Sequence, residues 1–210
     1  MPASAQGMQR RRFTLLPCLA GTLLLTRQTP SWAGAQQEEL LADAVRTALS
    51  AAIAKQAPPV PEFGDTASRL AYLRWLGAMS DRLKPKQTVW YESRRAGLDT
   101  ALVLGLIQVE SNFRKFAISS AGARGYMQGM PFWARLIGDG DASRLFHLQT
   151  NLRFGCVILR HYLGRERGDL FMALGRYNGS RGQSQYPHAV LAAQKLWQFP
   201  NEAAPSRVGV

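Results

Sequence analysis

Apolar positions recur with helical spacing along most of this chain. From residue 36 to residue 56 they fall three and four residues apart, which predicts a helix with one continuous apolar face. A proline-rich break at 57–65 separates that helix from a second helical pattern at 66–84. A third helix is predicted at 86–97, where Gly97 suits the carboxyl-terminal stop.

The segment at 100–110 is apolar on nearly all sides. Asp99, directly before it, has a side chain that favours the N-cap position of a helix. A helix that is apolar all round is covered by its neighbours in a folded protein. We therefore expect this helix to lie at the centre of the domain.

The segment at 117–130 has no convincing period and contains three glycines, so it is predicted to be a loop. Four further helical patterns follow, at 131–138, 151–165, 169–180 and 187–199. The first of them opens on Pro131, which suits the first turn of a helix. No convincing strand pattern and no internal repeat is found, so the predicted class is all-α.

The expected organisation is one compact helical domain at 85–200. An N-terminal helical lead-in at 36–84 precedes it, and a short tail at 201–210 follows. The first 35 residues have the three parts of a secretory signal: a basic start, a short apolar run and small residues before a cleavage point near Ala33 or Ala35. This predicts a periplasmic or secreted protein. An uncleaved N-terminal anchor is the alternative, and the choice between Sec and Tat export stays open.

The charge is strongly basic, which favours an anionic partner. The chain has 26 Lys and Arg against 14 Asp and Glu, a net charge of +12. Removing residues 1–35 takes away four arginines and no acid, which leaves 22 basic and 14 acidic residues, or +8. An exported protein rarely meets chromosomal DNA, so a cell-wall polymer fits better than nucleic acid. Cys156 is then the only cysteine, its neighbours are apolar, and a buried thiol is expected.

A single carboxylic acid interrupts an apolar run in the stretch GLIQVESNF at 105–113. Glu110 has two interpretations: an acid that reaches water where a helix ends, or an acid that the fold buries. Burial and the negative end of the helix dipole would both raise its pKa. An acid that still holds its proton near neutral pH is what glycoside cleavage needs at the leaving oxygen. Glutamates at helix ends are common, so this feature alone decides nothing.

Four motifs in fixed order resemble a known family. QVESNF at 108–113 is followed by ISSAGARGYMQGMP at 118–131, NLRFGCVILRHYL at 151–163 and ALGRYNGS at 173–180. Together they resemble the soluble lytic transglycosylase (SLT) catalytic domain of glycoside hydrolase family 23, which has a lysozyme-like helical fold. The resemblance covers about residues 88–200.

The resemblance implies a set of site residues. Glu110 matches the family's single catalytic acid. The residues that match substrate-binding positions are Ser111, Ser119, Gln128, Met130, Tyr177 and Asn178. Tyr177 matches a tyrosine that lies beside the acid. Some of these residues also have a structural interpretation, in which Ser111 caps a helix end and Met130 fills the core. Asn151 is expected to be a helix cap.

The sequence departs from the family pattern around the second and fourth motifs. Tyr126 stands where leucine is usual, and Gly129 stands where a branched residue is usual. Arg176 precedes the tyrosine where a small residue is common, and Gly179 and Ser180 replace Ala-Gly. The changes at Tyr126 and Gly129 bear on the shape of the groove and on the preferred glycan, and leave the acid untouched.

The family chemistry implied here uses one acid, with no metal and no cofactor. Protonated Glu110 would donate to the bond between N-acetylmuramic acid and N-acetylglucosamine. The same residue would then remove the proton from the C6 hydroxyl of the sugar, which closes to a 1,6-anhydro end without water. In agreement, His147, His161 and His188 show no metal-ligand spacing. The implied partners are peptidoglycan strands and no nucleic acid, with the protein a monomer; association with the membrane surface or envelope machinery stays open.

Three other functions are open at this point. A muramidase would use water and a second carboxylate, for which Asp139 and Asp141 are candidates, although a surface turn favours a solvated role for both. A wall-binding or secretion-accessory module would hold glycan without cleaving it, and the presence of Glu110 argues against that. A basic helical nucleic-acid binder is disfavoured by the export signal.

Overall fold

The computed structural model describes residues 36, 38, 40–55 and 86–199. The predicted signal at 1–35, the second predicted helix at 66–84 and the tail at 201–210 lie outside these residues. The described residues form seven α-helices: α1 (Asp43–Ala54), α2 (Lys86–Arg95), α3 (Thr100–Ser111), α4 (Pro131–Ile137), α5 (Leu148–Arg165), α6 (Leu170–Asn178) and α7 (Gln185–Leu196). A 3₁₀ helix, Ala142–Phe146, precedes α5.

The all-α class is confirmed. Between α3 and α4 the chain forms a loop, as predicted, and its β-type pairing is confined to two isolated bridges, Ile118 with Arg124 and Arg124 with Gly129. The predicted helix ends at Asp99 and Gly97 are also confirmed. The Asp99 side chain accepts a hydrogen bond from the Ala101 N–H at 2.8 Å, and Gly97 adopts a left-handed φ of 66° just after α2.

Two predicted helix starts were wrong. α1 begins at Asp43 instead of residue 36, and Gln36 accepts a hydrogen bond from Nε1 of Trp133 at 2.8 Å. α5 begins at Leu148, where the His147 carbonyl accepts the N–H of Asn151. Asn151 therefore lies inside the first turn of α5 and is not the cap of that helix.

Helix α3 forms the centre of the fold, as expected. Ten of its twelve residues are buried, and it packs most extensively against α7. Gly105 allows the two helices to approach closely, because a Cβ at this position would lie only 2.6 Å from the main-chain nitrogen of Gln194. Gln108 accepts a hydrogen bond from Nε1 of Trp197 at 2.7 Å, which ties the ends of α3 and α7 together.

A buried charge cluster attaches α1 to the rest of the domain. Glu92 on α2 is fully buried and pairs with Arg95 at 2.8 Å and with Arg153 of α5 at 3.1 Å. Arg95 also donates to the Ala52 carbonyl at 2.7 Å, and Arg153 donates to the Ile53 carbonyl at 3.3 Å. The two arginines therefore satisfy carbonyl groups at the end of α1 that no intrahelical donor reaches.

Two further features bear on the sequence predictions. Cys156 is a buried free thiol, as expected, and its burial raises the pKa of the thiol. Among the described residues, no helix combines the length and the apolar character needed to cross a bilayer.

Candidate active site

Glu110 is the penultimate residue of α3 and only 7% of its surface is exposed. Burial raises the pKa of its carboxyl group from 4.5 to about 8, and a hydrogen bond from Tyr186 opposes part of that rise. Of the two interpretations of Glu110, the structure therefore supports the one in which the fold buries the acid. At neutral pH the protonated form predominates.

The two oxygens of Glu110 have different surroundings. The buried Tyr186 hydroxyl, in the first turn of α7, donates to Oε1 at 2.5 Å. Oε2 is buried and has no hydrogen-bond partner among the residues that the structure describes. Since Oε1 accepts from Tyr186, the carboxyl proton belongs on Oε2, where it can be given to a bound molecule.

Tyr177, which the resemblance places beside the acid, is buried and uses its hydroxyl elsewhere. It donates to the Met127 carbonyl at 2.8 Å. Burial, and after it the charge of Glu110, raise the pKa of Tyr177 well above 10. The tyrosine that bonds to the acid is Tyr186, which the sequence analysis did not single out. Its position before Pro187 at a helix start is the one local feature that sets it apart.

Ser111, Gln128 and Asn151 direct their polar groups into the loop at 117–130. Ser111 Oγ donates to the Tyr126 carbonyl at 2.8 Å, and Gln128 Nε2 donates to the Gly125 carbonyl at 2.8 Å. The side-chain oxygen of Asn151 accepts the Met127 N–H at 2.8 Å, and its amide nitrogen donates to the Arg124 and Leu145 carbonyls at 2.8 Å each. The hydrogen bonds of Asn151 therefore hold this loop in place.

The remaining candidates are Ser119, Met130 and Asn178. Ser119 is partly exposed, and its Oγ accepts from the Ala123 N–H at 3.1 Å. Met130 is partly buried at the start of α4. The amide nitrogen of Asn178 donates to Ser180 at 3.0 Å, and its buried oxygen has no partner among the described residues. An amide acceptor therefore stands at the end of α6, one residue after Tyr177.

Asp139 and Asp141 have the surroundings of solvated acids. Hydrogen bonds lower the pKa of both: Asp139 accepts from the Asp141 N–H and then from Arg144, and Asp141 accepts from Ser143. Both line a cavity of about 540 Å³ between α1, α4 and the start of α5, and Glu110 is not among the residues that line it. Hydrogen bonds from neighbouring groups therefore favour the ionised form of both carboxylates in this turn.

In the part of the chain that the structure describes, no three His, Cys, Asp or Glu side chains lie close enough together to hold a metal ion.

Known proteins share both the sequence and the fold of this region. Residues 87–197 match the family model of the transglycosylase SLT domain. The transglycosylase of Enterobacteria phage PRD1 is 34% identical over 108 residues, which cover 51% of this chain and 39% of the phage protein. The membrane-bound lytic murein transglycosylase C of Mannheimia succiniciproducens is 52% identical over 42 residues, 20% of this chain and 12% of that protein.

A solved structure shares the fold. It is that of an inactive mutant of the lytic transglycosylase Slt from Pseudomonas aeruginosa, with a TM-score of 0.50 and 21% identity over 55% of this chain and 24% of that chain. This chain spans less than half the length of each protein named here. The lysozyme-like helical fold that the motifs imply is confirmed by this match.

Proposed function

This chain belongs to the transglycosylase SLT domain family, and we propose that it is a peptidoglycan lytic transglycosylase that uses Glu110 as its acid and base. The relatives named transglycosylase and lytic murein transglycosylase support the reaction class. The observation that carries the proposal is the asymmetry of the Glu110 carboxyl group, with Oε1 bonded to Tyr186 and Oε2 unpartnered among the described residues.

In the first step, Oε2 of Glu110 gives its proton to the oxygen that links N-acetylmuramic acid to N-acetylglucosamine. The bond from that oxygen to C1 of the muramyl residue breaks, and the muramyl N-acetyl group stabilises the cation that develops. The raised pKa of Glu110, about 8, keeps the proton in place until the glycan arrives. As the carboxylate forms, the Tyr186 hydroxyl stabilises the charge on Oε1.

In the second step, the Glu110 carboxylate removes the proton from the muramyl C6 hydroxyl. That oxygen bonds to C1, which gives the 1,6-anhydro end and returns the proton to Glu110. Water is not consumed, so a second carboxylate to activate it is not needed. Asp139 and Asp141 accordingly take no part in the proposed reaction.

The other candidate residues divide into those that touch glycan and those that position the loop. Ser119 and Asn178 have polar oxygens that can bind hydroxyl and amide groups of the sugar, and Met130 contributes apolar contact. Ser111, Gln128 and Tyr177 act by shaping the loop at 117–130, since their polar groups bond to its carbonyls.

Export to the periplasm or the outside of the cell completes the proposal. It is supported by the signal pattern in residues 1–35 and by relatives whose names describe them as membrane-bound murein enzymes. N-terminal sequencing of the exported protein should begin between about Gly34 and Gln37. A mature protein that retains residues 8–13 (MQRRRF), the basic start of the signal pattern, would contradict this part of the proposal.

The reaction class is tested by cleaving purified peptidoglycan in water enriched in heavy oxygen. A transglycosylase releases fragments with 1,6-anhydro ends that carry no label. Labelled reducing ends would contradict the proposal and indicate a muramidase, and the absence of any release would indicate a wall-binding module.

A further inference from the structure

Glu166, the residue directly after α5, binds two arginines from different parts of the chain, and its side chain is only 8% exposed. Arg176 of α6 donates from Nε to Oε1 of Glu166 at 2.6 Å. Arg181, which lies beyond α6, donates from Nε to Oε1 at 2.9 Å and from Nη2 to Oε2 at 3.0 Å. The contact with Arg181 is bidentate, a geometry that adds both strength and orientation to an arginine–carboxylate pair. We call Glu166, Arg176 and Arg181 the Glu166 cluster.

The place of Glu166 is unfavourable for a carboxylate on its own. It lies at the carboxyl end of α5, where the helix dipole is negative, and little of its side chain reaches water. The hydrogen bond from Arg181, and with it that from Arg176, nevertheless lowers the pKa of Glu166 to about 2 against the effect of burial. Ion pairs withdrawn from water add little net stability, because the loss of hydration offsets the attraction. The cluster therefore contributes a fixed geometry.

The geometry that the cluster fixes is that of the turn after α6. Gly179 ends the helix with a left-handed φ of 80°, and the Ser180 N–H donates back to the Gly175 carbonyl at 2.7 Å. The turn lies close against the helix, because a Cβ at Gly175 would be 3.0 Å from Cα of Arg181. Arg176 in the helix and Arg181 in the turn bind the same carboxylate, so the turn cannot move away from α6 without breaking these bonds.

Asn178 lies inside the segment that the cluster closes. It is the last residue of α6 and only 7% exposed. Its amide nitrogen donates to Oγ of Ser180 at 3.0 Å, so the orientation of the amide depends on the turn. Its side-chain oxygen is buried and has no partner among the described residues. A buried acceptor of this kind is left ready for a donor on a bound molecule.

We propose that Glu166 is a positioning residue: through Arg176 and Arg181 it holds Asn178 in the orientation in which the amide oxygen accepts a hydrogen bond from the glycan. The inference rests on the proposed function, which brings a sugar to the end of α6. Glu166 acts through the arginines, because both of its oxygens are bonded to them. Arg176 and Ser180 are positions at which the sequence departs from the family pattern, so the arrangement depends on residues that the pattern does not have.

The test measures affinity for soluble glycan strands by calorimetry, on the Glu110→Gln background so that the strands are not cleaved. Asn178→Ala and Glu166→Gln should each lower the affinity about fivefold, as expected for the loss of one neutral hydrogen bond. The double variant should bind no more weakly than Asn178→Ala alone, because both changes remove the same contact. Arg181→Ala, a change at a half-exposed side chain, should repeat the effect of Glu166→Gln.

Two further measurements separate positioning from a general loosening of the fold. Asp43→Asn removes an exposed ion pair with Arg46 in α1 and should leave the affinity unchanged. With Glu110 intact, the pH at which kcat/KM falls should be the same in Glu166→Gln as in the wild type. The packing of α3 against α7 holds Tyr186 at Glu110 independently of the cluster.

Additive losses in the double variant would overturn the proposal, and so would an affinity that Glu166→Gln and Arg181→Ala both leave unchanged. A wild-type affinity in Asn178→Ala would also overturn it, because the cluster would then have no contact to position. A fall of kcat/KM that moves to higher pH in Glu166→Gln would assign the cluster a general structural role instead. Failure of the wild-type protein to cleave the strands counts against the proposed function, whereas binding on the Glu110→Gln background reports on the cluster.

Discussion

The hydroxyl of Tyr186 donates a hydrogen bond to Oε1 of Glu110 over 2.5 Å, although 76 residues separate the two in sequence. The contact joins the end of α3 to the start of α7, the two helices that pack most extensively. It assigns the two carboxyl oxygens different roles, because Oε1 accepts from tyrosine and Oε2 is left to hold the proton. The chemistry therefore depends on how closely α3 and α7 approach.

Replacing Tyr186 by phenylalanine should change the pH dependence of cleavage. The Tyr186 hydrogen bond lowers the pKa of Glu110, so its loss should move that pKa above the wild-type value of about 8. In the wild type, kcat/KM should fall as pH rises through about 8, where Glu110 loses its proton. In Tyr186→Phe that fall should move to higher pH, and kcat should drop about 10- to 100-fold, since a hydrogen bond to a charged group contributes about 1.5–3 kcal/mol.

Tyr177→Phe is the control for this experiment. It removes a buried hydroxyl that is hydrogen-bonded to the Met127 carbonyl and not to the acid. The fall of kcat/KM with rising pH should therefore stay at the wild-type pH, while the free energy of unfolding falls by about 1 kcal/mol. If the fall of kcat/KM moved to another pH in Tyr177→Phe and kept its wild-type position in Tyr186→Phe, the assignment of Tyr186 as the hydrogen-bond partner of Glu110 would be wrong.

Gly105→Ala should push α3 and α7 apart. The new Cβ would meet main-chain atoms of Gln194 at 2.6 and 2.9 Å, which cannot rotate away. We expect a loss of about 1–3 kcal/mol in the free energy of unfolding, with reduced activity from a weakened Glu110–Tyr186 contact. Gly164→Ala on α5 is the matched control: its Cβ meets nothing within 4 Å, and alanine there should stabilise the helix by about 0.5–1 kcal/mol. Urea unfolding of both variants gives the comparison, and equal stability would refute the close approach.

Asn151→Asp should make stability depend on pH. A carboxylate at this site would face the Arg124 and Leu145 carbonyls, to which the asparagine amide now donates. Burial beside these oxygens raises the pKa of the new acid, so stability is highest below the unfolded pKa and is lost as pH rises. We expect the variant to lose about 2 kcal/mol more at pH 8 than at about pH 4. Asn151→Ala cannot titrate, so it should lose the same free energy of unfolding at both pH values. A loss of stability in Asn151→Asp that does not change with pH would contradict the role of Asn151 in holding the loop.

The helices could be predicted from sequence where the signals are local. The conformational preferences of Asp99 and Gly97 predict helix ends, and the apolar run at 100–110 predicts a buried helix. The prediction of an N-cap at Asn151 was wrong for the same reason. Asparagine favours N-caps, and nothing in the local sequence reveals that its amide is needed by a loop more than twenty residues earlier.

Long-range contacts of the candidate site could not be predicted from the sequence. The expected rise in the pKa of Glu110 follows from the apolar run that contains it. Tyr186 becomes relevant only when α7 folds back across α3, so periodicity and motif spacing carry no trace of the contact. Likewise, the charges around Glu92 look like an ordinary solvated helix face in sequence, whereas in the fold they hold the end of α1.

Glu92→Gln should loosen α1. The substitution keeps the side-chain shape but leaves Arg95 and Arg153 without their shared counter-charge, and breaking a buried ion pair costs about 3–5 kcal/mol. Hydrogen exchange should increase first in α1, whose end carbonyls are held by the two arginines. Asp43→Asn is the control, because it removes an exposed ion pair with Arg46 within α1 and should change little. Equal exchange in both variants would contradict this role.

Glu110→Gln should leave the protein folded and improve its stability at high pH. Because the folded state raises the pKa of Glu110 from 4.5 to about 8, the wild type is not penalised below pH 4.5 and loses stability as pH rises toward 8. At about 1.4 kcal/mol per pKa unit, the penalty reaches about 5 kcal/mol above that pH. Glutamine does not ionise, so unfolding of the two proteins should coincide near pH 4 and favour the variant at pH 8. The variant is thus a folded reference for the activity measurement.

The most direct measurement is the release of 1,6-anhydromuropeptides from purified peptidoglycan by wild-type and Glu110→Gln proteins, followed by mass spectrometry. Proton-transfer catalysis by one residue is worth about 10²–10⁴-fold, and here one residue serves both steps. We expect the wild type to release anhydro fragments and the folded Glu110→Gln variant to fall short by about 10⁴-fold or more. Near-normal release of anhydro fragments by the folded variant would contradict the account.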